Sequence, residues 1–221
     1  MNTIEDFINQ YRMIFLTGGT GFIGSYLLAE LVRAGHAVRA LQRNRAIPSY
    51  LPREIAEKVE WVQGDILDTA LLHEQVAGCN RIIHAAALVS FYPEDRKKLF
   101  ALNIEGTANL VNTALENNIT DFVYISSVSA LGRPAGNEPV NEEKKWESSG
   151  KETNYAISKY HAEMEVWRGM GEGLTPLIVN PSTVLGYGDW NQGSCAIFRS
   201  VYREFPWYIK SNNGFVDVED L

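Results

Sequence analysis

Two cysteines in 221 residues, Cys79 and Cys195, are too few and too far apart for a disulfide framework. The four histidines, His36, His73, His84 and His161, have no metal-ligand spacing among themselves, so no metal site is expected. No apolar run approaches the roughly eighteen residues of a membrane span. The first ten residues, Met1–Gln10, have neither the basic start nor the apolar centre of a secretory signal. Basic residues are scattered and outnumbered 20 to 27, a net charge of −7, which argues against a nucleic-acid surface. Internal repeats and low-complexity segments are absent as well. These absences leave a soluble, cytoplasmic protein as the expectation. The 45% hydrophobic content is that of an ordinary globular protein, and the length suits one sizeable domain.

What the chain does have is alternation. Short apolar runs at 14–16, 37–41, 59–62, 81–84, 122–125 and 176–179 read as strands. Amphipathic stretches at 22–34, 68–77, 95–117 and 153–170 read as helices, the first ending at Gly35. Strands separated by helices imply right-handed βαβ units and a parallel sheet covered on both faces, a Rossmann-like doubly wound α/β/α fold. Residues 126–152 are polar, contain Gly and Pro, and read as a loop over the carboxyl edge of the sheet. The tail Phe215–Leu221 reads as a strand and the first turn of a helix, so the substrate lobe is expected to be truncated there. The expected division is an extension over 1–12, a dinucleotide-binding domain over 13–180, and an incomplete substrate region over 181–221. Met1 and Met13 are both candidate starts.

The first strand enters Thr17-Gly-Gly-Thr-Gly-Phe-Ile-Gly24 and a helix leaves it. Glycines at 18, 21 and 24 permit a tight turn, a close approach of backbone to a pyrophosphate, and close packing of helix on strand. The free N–H groups at the helix start then face the phosphates. Gly18, Thr20, Gly21, Phe22, Ile23 and Gly24 are the expected cofactor contacts. An acid at the end of the second strand would favour NAD. The chain instead reads Arg39-Ala-Leu-Gln-Arg-Asn-Arg45, and Arg43, assisted by Arg45, is placed to pair with a 2′-phosphate. NADP(H) is therefore the favoured cofactor and NAD(H) the alternative. Asp65 and Ile66 follow the third strand, where they would bond and pack the adenine; Asp65 reads equally as a helix N-cap.

Tyr155 and Lys159 are four apart inside a helix and so share a face. A nearby ammonium would lower the phenol's pKa and allow proton transfer at a carbonyl or alcohol. The lysine would also bond the nicotinamide ribose. Ser126 and Ser127 end the fifth strand, where a hydroxyl can hold a substrate oxygen beside the tyrosine.

The glycine loop, His84-Ala-Ala-Ala87, Asn103, Tyr124–Gly132, Tyr155–Lys159 and Asn180–Gly186 together resemble the extended short-chain dehydrogenase/reductase superfamily, its NAD-dependent epimerase/dehydratase family. The stretch 38–43 and the Ser-Thr-Val-Leu-Gly run are most similar to its dihydroflavonol 4-reductase and 3β-hydroxysteroid dehydrogenase branches. The resemblance implies Ser127, Tyr155 and Lys159 as catalytic residues, with Tyr155 the proton donor. It implies Ala85, Ala86 and Ala87, Asn103 and Ser126 along the cofactor, and Pro181, Ser182 and Thr183 near the nicotinamide. It also implies a homodimer through helices 95–117 and 153–170. Asn180 departs from the family, which usually has arginine there, and the family continues about a hundred residues beyond this chain.

Other features read as bland. His84 is expected to be a buried, backbone-bonded histidine. Lys97, Lys98 and the run Glu142–Lys145 are expected on the surface, and Trp146, Trp167, Trp190 and Trp207 form no stacking stripe, though the last two lie toward the substrate region. The expected function is NADP-dependent reduction of a ketone, or oxidation of a secondary alcohol, on a small or medium apolar substrate. The alternatives are an NAD-dependent nucleotide-sugar epimerase or dehydratase, and a non-catalytic dinucleotide-sensing regulator.

Overall fold

The structure, a computed structural model, describes residues 13–44, 46–132, 140–144, 146–148, 150–207 and 213–221. The extension 1–12, Arg45, Lys145 and part of the loop 126–152 lie outside the described residues. In chain order the elements are β1 (Met13–Thr17), α1 (Phe22–Arg33), β2 (Val38–Gln42), α2 (Arg53–Ala56), β3 (Glu60–Gln63), α3 (Thr69–Gln75), β4 (Cys79–His84), α4 (Arg96–Phe100), α5 (Gly106–Glu116), β5 (Asp121–Ile125), α6 (Asn154–Gly171), β6 (Thr175–Val179), β7 (Thr183–Leu185), α7 (Ala196–Tyr202) and β8 (Phe215–Asp217).

The six long strands form one parallel sheet in the order β3-β2-β1-β4-β5-β6. Strand alternation divides its side chains between two faces. Ile14, Leu16, Val38, Ala40 and Ile83 pack with Leu28 and Val32 of α1 and Ile55 of α2. Phe15, Leu41, Ile82, Phe122 and Tyr124 pack on the opposite face with Leu72, Leu110, Val111, Ala162 and Val166. The fold is the three-layer α/β/α arrangement that the alternating pattern predicts. All six strands end at one edge, and ligands in open parallel sheets bind at that carboxyl edge.

The structure refines the sequence-based boundaries. The stretch 95–117 is not one regular helix: a π-helical turn over Ala101–Glu105 separates α4 from α5. The Thr107 hydroxyl, in the first turn of α5, donates back to the carbonyl of Asn103 inside that widened turn at 2.6 Å, an alternative to regular helix bonding that periodicity does not reveal. Helix α3 is capped by Asp68, which accepts from the Leu71 N–H, so the N-cap reading of Asp65 is corrected; Asp65 instead turns the preceding loop by accepting from the Leu67 N–H. The tail forms β8, parallel to β7, and then a 3₁₀ turn over Val218–Asp220 instead of the first turn of an α-helix. Val218 is buried there, against Gly186. Among the described residues no helix is long and apolar enough to cross a membrane.

Leu110 is wholly buried in the layer beneath α5 and α6, whereas Leu177 on the edge strand β6 is 60% exposed. Leu110→Ala is expected to cost about 2–5 kcal/mol. Leu177→Ala is expected to cost under about 0.5 kcal/mol, and urea unfolding midpoints of the two variants check the difference.

Candidate active site

The glycine loop is shaped first by the protein's own packing. Gly18 has φ +80°, and a Cβ there would lie 2.5 Å from the Ala85 carbonyl carbon and the Ala86 nitrogen. A Cβ on Gly24 would lie 2.1 Å from the Gly18 oxygen. Gly21 is different: it is exposed, and a Cβ there would meet only the Gly18 oxygen at 3.2 Å. Gly21 is the N-cap of α1 and supplies no side-chain cap. The first N–H groups of a twelve-residue helix therefore open outward beside Thr20, Phe22 and Ile23, an anion cradle of the kind that holds a pyrophosphate. The loop fits a dinucleotide on this geometry.

Ala85 and Ala86 run against that cradle, joined to it by the Ala85 N–H bond to the Thr17 carbonyl at 3.1 Å; Ala87 is exposed beyond them. Asn103 lies inside the π turn and is buried. Its side-chain oxygen accepts from Leu88 N–H at 2.7 Å, and its amide donates to the Leu88 carbonyl and to Ser158 Oγ at 2.9 Å. Ser158 Oγ in turn donates to the Tyr155 carbonyl. Asn103 thus ties the segment following β4 to the helix that bears Tyr155 and Lys159. Ile66 is buried against Gly106, where a Cβ would come within 2.8 Å of Cγ2. Arg43 is exposed immediately past β2.

Tyr155 and Lys159 do share a face of α6, but the lysine's first bonds go elsewhere. Its Nζ donates to the Tyr124 hydroxyl at 2.7 Å and to the Ile125 carbonyl at 2.9 Å, and lies 4.3 Å from the Tyr124 ring centroid. Burial pushes the Lys159 ammonium down to about 7, and Glu163 opposes that shift. Burial raises the Tyr155 phenol, and the side-chain hydrogen bond with Ser127 pulls the other way. The sequence-based expectation that Lys159 lowers Tyr155 has no counterpart in these contacts; Ser127 is the neighbour that does so.

Behind Lys159 lies a buried polar chain. Burial pushes the Tyr124 phenol up, and its side-chain hydrogen bond with Thr107 pulls the other way. The Thr107 hydroxyl is 2.9 Å from His84 Nε2, and His84 Nδ1 is 2.7 Å from the Thr17 hydroxyl. Burial, with the Lys159 charge second, pushes His84 down to about 3, so it stays neutral. Its partners are threonine side chains, where the sequence predicts backbone.

Sequence reasoning missed Glu163. It lies one helical turn past Lys159, a spacing that could have revealed it. Its carboxyl group accepts from Ser126 Oγ at 2.6 Å, Asn180 Nδ2 at 2.8 Å and Trp167 Nε1 at 3.2 Å. Asn180 also donates to the Ser127 carbonyl at 3.2 Å. Lys159 and Glu163 therefore clamp successive residues at the end of β5, and Asn180 extends the clamp to Ser127. Ser126 faces Glu163 in this arrangement. Pro181 is buried and its carbonyl accepts from Val128 N–H; Ser182 is half-buried beside Gly214, and the Thr183 hydroxyl accepts from Asn213.

Beside this constellation is a cavity of about 280 Å³ lined by Phe91, Val128, Gly132, Trp146, Thr153 and Ala156, among others. The Phe91 ring lies edge-on to Tyr155, with centroids 5.8 Å apart, and Trp146 stacks on Tyr160 at 4.4 Å. The cavity adjoins Ser127 and Tyr155 through their sequence neighbours Val128 and Ala156, and its walls are largely apolar.

A parallel sheet in this strand order, with a glycine cradle at its first turn, defines the nucleotide-binding α/β class. The chain belongs to the NAD dependent epimerase/dehydratase family, which it matches over residues 14–205. It is 35% identical over 220 residues to a putative dihydroflavonol 4-reductase of Synechocystis sp., covering 99% of this chain and 63% of that protein. It is 32% identical to a 3-beta-hydroxysteroid dehydrogenase of Mycolicibacterium neoaurum, covering 86% of this chain and 50% of that one. The Bordetella bronchiseptica enzyme WbmH, solved with NAD+, matches with a TM-score of 0.77 and 25% identity, over 94% of this chain and 68% of its own. The chain thus spans between half and two-thirds of the length of the two curated relatives.

The buried lysine has a thermodynamic signature. Its folded pKa of about 7 is below the ordinary 10.5, so between those values the unfolded chain holds a proton that the folded chain has released. This group's contribution therefore makes stability rise with pH from about 7 upward. Above about pH 9 Cys79 opposes it, because burial raises its thiol to about 11. Lys159→Met is expected to flatten the rise between about pH 7 and 9, as measured by urea midpoints across that window.

Proposed function

We propose that this protein is an NADP(H)-dependent oxidoreductase that reduces a ketone, or oxidises a secondary alcohol, on a small or medium apolar substrate. The observation that carries this reading is the half-buried Tyr155 phenol with Ser127 as its hydrogen-bonding neighbour, beside an apolar cavity flanked by Phe91 and Trp146. The family membership and the NAD+-bound relative support a nicotinamide dinucleotide as the cofactor, and the reductases and dehydrogenases among the relatives support the reaction class. Exposed Arg43, beyond a strand end without an acid, favours the 2′-phosphate form.

A nicotinamide dinucleotide held at the glycine cradle by Gly18, Gly21 and the start of α1 would supply or accept hydride at the substrate carbon. Ser127 orients the substrate oxygen, and Tyr155 transfers a proton at that oxygen. Lys159, anchored by Tyr124 and the end of β5, holds its amine beneath the site, charged as pH falls below about 7. Glu163 and Asn180 hold the Ser126–Ser127 segment in register with that lysine. Phe91 and the wall of the cavity exclude water from the reacting oxygen.

Tyr155→Phe removes one oxygen from the proton-transfer group. It is expected to leave the NADPH dissociation constant within about twofold and to lower turnover of apolar ketones by at least about a hundredfold. Fluorescence titration and NADPH oxidation with a ketone panel check both halves. Unchanged turnover would remove Tyr155 from the mechanism. NADPH is expected to bind about tenfold tighter than NADH in the same titration.

The homodimer belongs to the same reading. Met164, Trp167 and Met170 are exposed at 37%, 47% and 52% along one side of α6 and would be covered by a second copy. Trp167→Asp is expected to shift the protein to monomer in sedimentation-velocity runs.

A further inference from the structure

Glu163 is only 6% exposed on α6, and its hydrogen-bond partners are all neutral. One carboxyl oxygen, Oε2, accepts from Ser126 Oγ and Asn180 Nδ2, and the other, Oε1, accepts from Trp167 Nε1. The Asn180 amide also donates to the Ser127 carbonyl, an obligate acceptor, which fixes its orientation. An indole nitrogen can only donate. Each Glu163 oxygen thus meets an obligate donor, the pattern that suits an ionised, acceptor-only carboxylate. Lys159 is the mirror case: it is 1% exposed, with Nζ on the neutral Tyr124 hydroxyl and the Ile125 carbonyl. A buried charge held only by neutral groups retains a desolvation cost that an opposite charge offsets.

The two charges are set by one helix against one strand end. They are a helical turn apart on α6 and meet β5 at consecutive residues, the lysine at the Ile125 carbonyl and the carboxylate at the Ser126 hydroxyl. The Ile125–Ser126 peptide lies between them. Among the described residues, the titratable groups around the lysine are Tyr124 on β5, His84 on β4, and Tyr155 and Glu163 on α6. Burial keeps His84 neutral and raises both phenols, so Glu163 supplies the negative charge of the group. Burial drives the Lys159 ammonium down, and the Glu163 charge resists it.

We propose that Glu163 is the counter-ion of Lys159: a buried pair set on either side of the Ile125–Ser126 peptide, whose negative member keeps the lysine an ammonium while Tyr155 transfers its proton. This rests on the oxidoreductase reading above and goes beyond the fastening of the serine segment. Proton donation by Tyr155 leaves a phenolate, and a charged lysine beneath the site stabilises it. Glu163 acts through Lys159 and is therefore a positioning residue. Removing its carboxylate lowers the lysine's pKa, so the ammonium, and with it ketone reduction, is lost at a lower pH.

Titration of Lys159 is read by NMR of the protein isotope-labelled at the lysine Cε, its resonance assigned by its absence from Lys159→Met. The wild-type midpoint is expected at about 7. Glu163→Gln keeps the shape and removes the charge, and is expected to lower that midpoint by at least about half a pH unit. Ser126→Ala removes the hydroxyl contact and keeps the charge, and is expected to leave the midpoint within about 0.2 pH unit. In NADPH-driven ketone reduction, the fall of kcat/KM with rising pH should move to lower pH in Glu163→Gln and stay in place in Ser126→Ala. An unmoved Lys159 midpoint in Glu163→Gln, or an equal shift in Ser126→Ala, would overturn the proposal, because the carboxylate would then only fasten the strand end. If Glu163→Gln does not fold at about pH 6, the double variant Lys159→Met with Glu163→Gln decides. It is expected to fold because no lone charge remains buried, and its failure to fold would overturn the pair. A wild type that turns over no ketone would instead remove the oxidoreductase reading, and the lysine titration, which needs neither cofactor nor substrate, would still judge the pair.

Discussion

A lysine side chain cannot be buried without partners, and Lys159 is almost wholly buried. Its three protons need acceptors, and two are bonded to the Tyr124 hydroxyl and the Ile125 carbonyl. Much of the arrangement around it follows from this requirement. Tyr124 must present its hydroxyl from the sheet face that meets α6, so β5 alternates as it does. Thr107 must meet Tyr124 and His84 at once, and it does so from the helix that begins just after the π turn. His84 must stay neutral, and burial beside the lysine keeps it so. The polar chain that results runs beneath the sheet edge from Thr17, at the start of the glycine loop, to Lys159 on α6.

The same constraint couples the two halves of the site. Lys159 and Glu163 are one turn apart on α6 and engage successive residues at the end of β5. Asn180, at the end of β6, bonds both Glu163 and the Ser127 carbonyl. The Ser126–Ser127 segment is thus placed by β6 through Asn180 and by α6 through Lys159 and Glu163. A single short amide at Asn180 thus spans two acceptors, the Glu163 carboxylate and the Ser127 carbonyl.

Most of the fold was legible in the sequence because its signals are local. The glycine spacing, the strand runs and the helical periodicities each depend on a few neighbouring residues, and the sheet assembled as the alternation implied. Gly18 and Gly24 illustrate why the loop was readable: both lack side chains because backbone lies within bonding reach of where a Cβ would stand. The boundaries that slipped were those set by long-range contacts. The π turn depends on Asn103 reaching Leu88 and Ser158, and the cap of α3 moved from Asp65 to Asp68 because the loop after β3 turns once more before the helix starts.

Sequence alone determined the nucleotide-binding α/β class, the glycine cradle, and the pairing of Tyr155 with Lys159 on one helix, since each is written in residues close along the chain. Tertiary structure decided which groups those residues touch. It directed the lysine to Tyr124 and Ile125, made Ser127 the neighbour that lowers the Tyr155 phenol, and brought Glu163 and Asn180 behind the serines. The physical reason is that burial and hydrogen-bond satisfaction are settled between elements distant in sequence. A residue's type shows what it can bond; only the packed layers show which partner is within reach.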